Sequence, residues 1–199
     1  MQYLETIEAL ETLYGQPGEA ALLKVTDHLT PSYRRWIEVS RFCVLSSVGP
    51  EGTDGSPRGD AGPVVAVLDA RTLALPDWRG NQRLDTLRNI LRDGRISLMF
   101  MVAGSTTVMR VNGTARLTAD DALRAQFAKD GRRPATVIVV RIAEVYPQCA
   151  RAVMRADLWG AGAPPDLPSI GDMLRDARAG FDGASYDAEW PARAAKSLW

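Results

Sequence analysis

The sequence predicts a mainly β chain with helices at its edges, an α+β fold built around a small β-barrel. Three observations point there. Between residues 41 and 159 the chain holds about six or seven short apolar runs separated by turn residues. Only two helical stretches interrupt those runs, so they do not alternate as the βαβ repeats of a doubly wound sheet do. Helical periodicity is otherwise found at the two ends of the chain. With 199 residues, 46% hydrophobic and 24% charged, the sequence suffices for one real core plus appendages.

Residues 1–40 read as a helical segment. Leu4, Ile7, Leu10 and Leu13 recur at three-residue steps along one helix face before Gly15, Pro17 and Gly18 break it. A helix restarts at Thr30 with Pro31 in its first position and Trp36 and Val39 facing inward. The barrel is expected over residues 41–159. Residues 41–48 form a strand, 49–57 a turn-rich segment, and 62–76 two strands around the turn at Asp69, Ala70 and Arg71. The following helix buries a stripe of Leu84, Leu87, Ile90 and Leu91. Residues 94–104 and 106–118 are two more strands, 119–131 a short helix starting near Asp120 and Asp121, and 135–159 one or two long strands. Residues 160–199, with Pro164, Pro165 and Pro168 and two helical stretches, read as an arm on the barrel or on a partner subunit.

Composition narrows the function. Basic and acidic residues balance at 24 each, so no overall field points to nucleic acid or an anionic membrane, and any anion is bound locally. Cys43 and Cys149 have no metal-ligand spacing, and no signal peptide or long apolar span opens the chain. A cytoplasmic protein with two buried thiols is expected. The one histidine, His28, has no ligand or nucleophile cluster around it. No Ser-His-Asp set, metal cluster or general base stands out.

The chemistry concentrates in residues 75–95. A cation in the first turn of a helix is mildly unfavourable unless an anion sits nearby, and here Arg83 occupies that turn with Arg79 just before it. Asn81 is a suitable N-cap, and Gly80 lets the backbone lie close to a ligand. Arg79 and Arg83 then flank free amide donors, which together make a phosphate site. The other reading makes both arginines solvated, with Asp77 and Asp85 as partial counterions. Arg58, between Pro57 and Gly59, is expected at the start of a strand where a flat ligand can approach the backbone. A hairpin would bring Arg58 to Arg79 and Arg83, and three converging arginines favour a dianion.

Ser-Pro-Arg-Gly-Asp at 56–60, Leu-Pro-Asp-Trp-Arg-Gly-Asn at 75–81 and the segments at 109–117 and 149–159 together resemble the pyridoxamine 5′-phosphate oxidase-like FMN-binding split-barrel flavoproteins, in an uncharacterised bacterial branch. The resemblance implies a six-stranded split β-barrel, a homodimer and FMN at the subunit interface. It assigns phosphate contacts to Arg58, Asn81 and Arg83, and cofactor-lining positions to Pro76, Asp77 and Gly80. It places Arg155 and Trp159 over the partner's flavin, with Arg110 either near the flavin or in solvent. Trp36, Leu174, Phe181 and Trp190 are available to pack across a dimer interface or to cap their own barrel. The implied activity is FMN-dependent electron or hydride transfer between a reduced nicotinamide or small substrate and oxygen or another acceptor. A non-catalytic FMN module and a deazaflavin- or haem-binding barrel are the alternatives. The C-terminal region departs from the name-giving oxidases, which puts pyridoxamine phosphate oxidation itself in doubt.

Overall fold

The structure is a computed structural model that describes residues 1–160, 162 and 166–197, with side chains to residue 195. Pro164, Pro165 and the terminal Leu198 and Trp199 lie outside the described residues. The chain opens with α1 (Ile7–Tyr14), capped by the Thr6 hydroxyl, which accepts from Ala9 N, and with α2 (Glu19–Leu23). The apolar stripe of α1 is present but uncovered: Ile7, Leu10 and Leu13 are all exposed. In α3 (Pro31–Glu38), Thr30 caps the helix and Pro31 takes the first position, as the sequence predicts. The inward residue is Ile37 and not Val39, because the helix ends at Glu38 and Val39 turns to solvent. Trp36 packs against its own core.

Seven strands follow in one antiparallel sheet: β1 (Phe42–Gly49), β2 (Gly52–Gly59), β3 (Ala66–Asp69), β4 (Thr72–Asp77), β5 (Arg95–Met101), β6 (Val108–Thr118) and β7 (Thr136–Gln148), ordered β2-β1-β5-β6-β7-β4-β3. That is one more than the six implied by the resemblance. Residues 52–59, expected as mostly turn, form β2, because a tight turn at Pro50 and Glu51 lays them along β1 in unbroken register. Pro57 is tolerated there because β2 lies at the end of the sheet order, with one side free of ladder partners.

Alternation builds the core from cross-strand rows. Leu45 faces Leu98, which faces Val111, which faces Val145. In the next row Cys43 faces Phe100 and Phe100 faces Met109. All seven side chains are buried, each contributing roughly 1.5–3 kcal/mol if large and apolar. At Asn112 and Gly113 a bulge bends β6, and a Cβ at Gly113 would lie 2.0 Å from the Arg141 carbonyl, so only glycine fits.

The sheet curls until its two ends meet. Arg58 on β2 is ion-paired with Asp77 at the end of β4, five places away in the strand order. Among the described residues no backbone ladder joins β2 to β3 or β4, so side chains close the seam of a split barrel.

Helix α4 (Asp85–Arg92) starts later than the sequence predicts, and only half of the expected stripe turns inward: Ile90 is buried and Leu87 packs against the core beside the buried Thr86 and Asn89, while Leu84 and Leu91 are exposed. Asn89 Nδ2 donates to Ser47 Oγ at 3.1 Å. A Cβ at Gly49 would meet Asn89 Oδ1 at 2.1 Å, so this glycine permits the close contact of α4 with the β1–β2 hairpin. Helix α5 (Asp121–Gln126) is capped by Asp120. After β7 the expected second strand is instead α6 (Arg151–Arg155), a one-turn element for which an eleven-residue mixed pattern carries no clear period. The arm contains α7 (Ile170–Ala177), opened by a Ser169–Asp172 capping box, and α8 (Gly183–Ser197). These two pack where Gly171 and Gly183 touch backbone to backbone. Phe181 packs on Tyr186 within this pair of helices, and Trp190 is exposed.

Candidate functional site

A cavity of about 1480 Å³ opens at the seam, between β2, the β4–α4 segment and the region from α5 to β7. It exceeds the roughly 300–1,000 Å³ of ordinary small-molecule sites, as a cleft still open on one side would. Six arginines and four aspartates line it, a net positive balance that suits an anionic ligand.

The wall is laid by strand alternation. Asp54, Ser56 and Arg58 stand on the same side of the β1–β2 hairpin as their buried partners Ser47, Leu45 and Cys43, so an edge strand presents polar groups where an interior strand presents apolar ones. Arg58 is only 17% exposed and donates through Nη1 to Asp77 Oδ1. Its Nε is buried with no hydrogen-bond partner. Thr136, opposite Asp77 in the β4–β7 ladder, likewise has a buried hydroxyl without one. A guanidinium Nε–H that is buried and has no acceptor from the protein is unusual, and each such group calls for an explanation. Burial pushes the neighbouring Cys43 thiol up to about 12, against the lowering influence of the Arg58 charge, which keeps it protonated.

The lip is a loop. Asn81 does not cap α4: its Oδ1 accepts from Arg83 N at 3.1 Å and shapes the approach to the helix. The cap position falls on Leu84, which has φ 62° and offers no side-chain acceptor, so no side chain caps the first-turn amides of α4. Gln82 also has a left-handed φ of 61°. Arg83 is 75% exposed and bonds Asp85 at 2.8 Å. On the far side, Lys129 pairs with the buried carboxylate of Asp60 and lies 5.4 Å from the centre of the Trp78 ring. Arg124 donates to the Pro134 carbonyl at 2.9 Å.

The structure thus brings Arg58, Pro76, Asp77, Arg79, Gly80, Asn81 and Arg83 to one cavity. The meeting is made by barrel closure and not by a hairpin, since β2 and β4 are far apart in the sheet order. Arg155 and Trp159 do not line it: Arg155 is exposed on α6, and Trp159 Nε1 donates to the Ser105 carbonyl at 2.7 Å. Arg110 lies on the outer face of the sheet, 3.5 Å from the Tyr146 hydroxyl. Of the two cysteines, Cys43 is buried and Cys149 exposed, and the second departs from expectation. Sequence reasoning missed Asp54, Trp78, Arg124, Arg132 and Arg133, for which the Gly-Arg-Arg-Pro turn at 131–134 was the one local signal.

The family model for pyridoxamine 5′-phosphate oxidase matches residues 29–149. The chain belongs to this family. The match runs from the residue before the α3 cap to the end of β7 and so includes every cavity residue named above. No curated protein matches the chain. Among solved structures, a variant of HupZ from Group A Streptococcus aligns with TM-score 0.50 at 17% identity, over 60% of this chain and 98% of that one, a likeness of fold. A candidate pyridoxamine 5′-phosphate oxidase from Lactobacillus delbrueckii aligns at TM-score 0.48 and 22% identity, over 61% and 95%. An FMN-binding protein from Syntrophomonas wolfei aligns at 0.43 and 14%, over 72% and 97%. For this member of the pyridoxamine 5′-phosphate oxidase family, no helix among the described residues is long and apolar enough to cross a membrane.

Proposed function

We propose that the chain binds FMN in this cavity and works as a cytoplasmic, homodimeric FMN-dependent oxidoreductase. The observation that carries the reading is the meeting of β2 and the β4–α4 segment at one cavity, where Arg58 keeps a buried Nε–H without an acceptor. Family membership supports the same cofactor. The residues fit a phosphate-bearing ligand: the Arg58 edge and the uncapped amides of α4 supply donors, and the helix dipole favours negative charge there. Arg83 and Arg79 add charge at the lip, while Pro76, Asp77, Gly80 and Asn81 form the wall.

A bound flavin supplies hydride and single-electron chemistry. The chain's own residues bind it, orient it and limit water on the β2 side. Arg155 and Trp159 are assigned to the flavin of the partner subunit. A reduced nicotinamide or small substrate is the donor, and oxygen or another acceptor takes the electrons.

Mass spectrometry of the small molecule released on denaturation, with an absorption spectrum before and after added FMN, tests the reading. A flavin band that bleaches anaerobically with NADPH and returns with oxygen is the expected result. A band that never bleaches reduces the proposal to a binding module. A Soret band, a deazaflavin spectrum or a colourless protein that refuses FMN overturns it.

A further inference from the structure

A carboxylate beside an arginine that is to hold an anion looks counterproductive, and Asp77 is such a carboxylate. Its side chain is 13% exposed and takes one nitrogen of Arg58, Nη1. A guanidinium offers five N–H donors in a rigid plane, so fixing Nη1 fixes the direction of the others. The fork edge left over contains Nε, which is buried and unpartnered. Asp77 is itself held in place, being the last residue of β4 and paired in register with Thr136 of β7. Arg83, by contrast, reaches only its near neighbour Asp85 from a flexible-length side chain in solvent.

We propose that Asp77 is a positioning residue: by anchoring Arg58 at Nη1, it presents the Nε edge as a preformed two-pronged donor for the ligand's phosphate. This rests on the FMN reading above and adds to it a role for a residue that need not touch the phosphate. Two effects of Asp77 on an anion have opposite signs. Its charge repels the ligand, and its hydrogen bond orients the donor. With the pair largely out of solvent and the fork geometry rigid, orientation outweighs repulsion.

The test compares FMN with riboflavin, which lacks the phosphate, by fluorescence titration of the wild type, Asp77→Ala and Asp77→Asn. The wild type is expected to prefer FMN by about tenfold or more, the worth of one charge-assisted fork. Asp77→Ala is expected to reduce that preference by about tenfold while riboflavin affinity stays within about twofold. Asp77→Asn, whose amide oxygen still accepts from Nη1, restores most of it. If Asp77→Ala does not fold by circular dichroism, Asp77→Ser replaces it, because the shorter hydroxyl does not span the gap to Nη1. Unchanged or increased FMN preference in Asp77→Ala or its Ser replacement, or an Asn variant no better than that variant, overturns the positioning role and leaves the FMN reading intact. A wild type that binds neither compound, or binds both equally, overturns the phosphate reading and this inference with it.

Discussion

Arg58 and Arg83 line the same cavity, and their surroundings differ in almost every other respect. Arg58 projects from a strand, is 17% exposed and is held by a carboxylate from the other end of the sheet. Arg83 sits in a loop, is 75% exposed and is paired only with a residue two positions along. Sequence spacing treats the two as equals. Under the FMN reading, the buried, paired arginine makes a wall that provides direction, and the exposed one makes a lip that provides charge.

The largest expected effect separates the two. Arg58→Ala leaves the Asp77 carboxylate largely buried without its counterion, so a stability loss of about 1–3 kcal/mol in urea melts accompanies the loss of FMN binding. Arg83→Ala is expected to leave stability within about 0.5 kcal/mol and to weaken FMN by about 1 kcal/mol, in keeping with an exposed, screened charge. Equal stability losses in the two variants would erase the distinction between wall and lip.

A smaller effect sharpens the same contrast through cysteine reactivity. Cys43 faces Arg58 in the β1–β2 ladder and is buried with its pKa pushed up to about 12, whereas Cys149 is exposed. Mass spectrometry after maleimide treatment near neutral pH should therefore show one label per chain, at Cys149. Arg58→Ala should speed labelling of Cys43 because uncovering the thiol relieves the burial that dominates its raised pKa, which outweighs loss of the lowering Arg58 charge, and Arg83→Ala should not. Rapid labelling of Cys43 in the wild type would mean that the wall opens readily.

The smallest effect concerns ion pairs outside the cavity. Hydrogen bonds from Arg71 and His28 hold the Asp27 carboxyl at about 2, and Arg95 does the same for Asp93, against an ordinary value of 3.8. Both are depressed in the folded state, so their stabilisation is present above pH 3.8 and is lost as pH falls through about 2. Carboxyl NMR titration of Arg71→Ala and Arg95→Ala should return each aspartate toward its ordinary value. FMN binding should be unaffected in both variants at neutral pH, which makes them controls for the wall and the lip.

Much of the fold was legible because alternation is local. The strands at β1, β5 and β6, the hairpin at Ala70 and Arg71, the cap at Thr30 and the helix starting near Asp120 all follow from neighbouring residues. What failed depended on distant chain. The composition of β2 argues against a strand, and it forms one because β1 supplies a ladder and the site needs its polar face. Asn81 has the chemistry of a cap, yet α4 begins only where Thr86 and Asn89 can reach Asp54 and Ser47. Arg58 and the segment from Pro76 to Arg83 are expected together and do line one cavity, but their meeting comes from closure of the barrel and not from a hairpin. Arg124, Arg132 and Arg133 reach it the same way, from a part of the chain with no local pattern tying it to Arg58.

The contact between Gly49 and Asn89 has a kinetic consequence. The hairpin that carries Arg58 and helix α4, whose first residues line the cavity, are joined by this contact and by the Asn89–Ser47 hydrogen bond, so these two walls of the cavity move together. For the FMN proposed above, association is expected to proceed in a single phase, governed by entry and dehydration instead of by an opening motion of the protein, which stopped-flow flavin fluorescence would check.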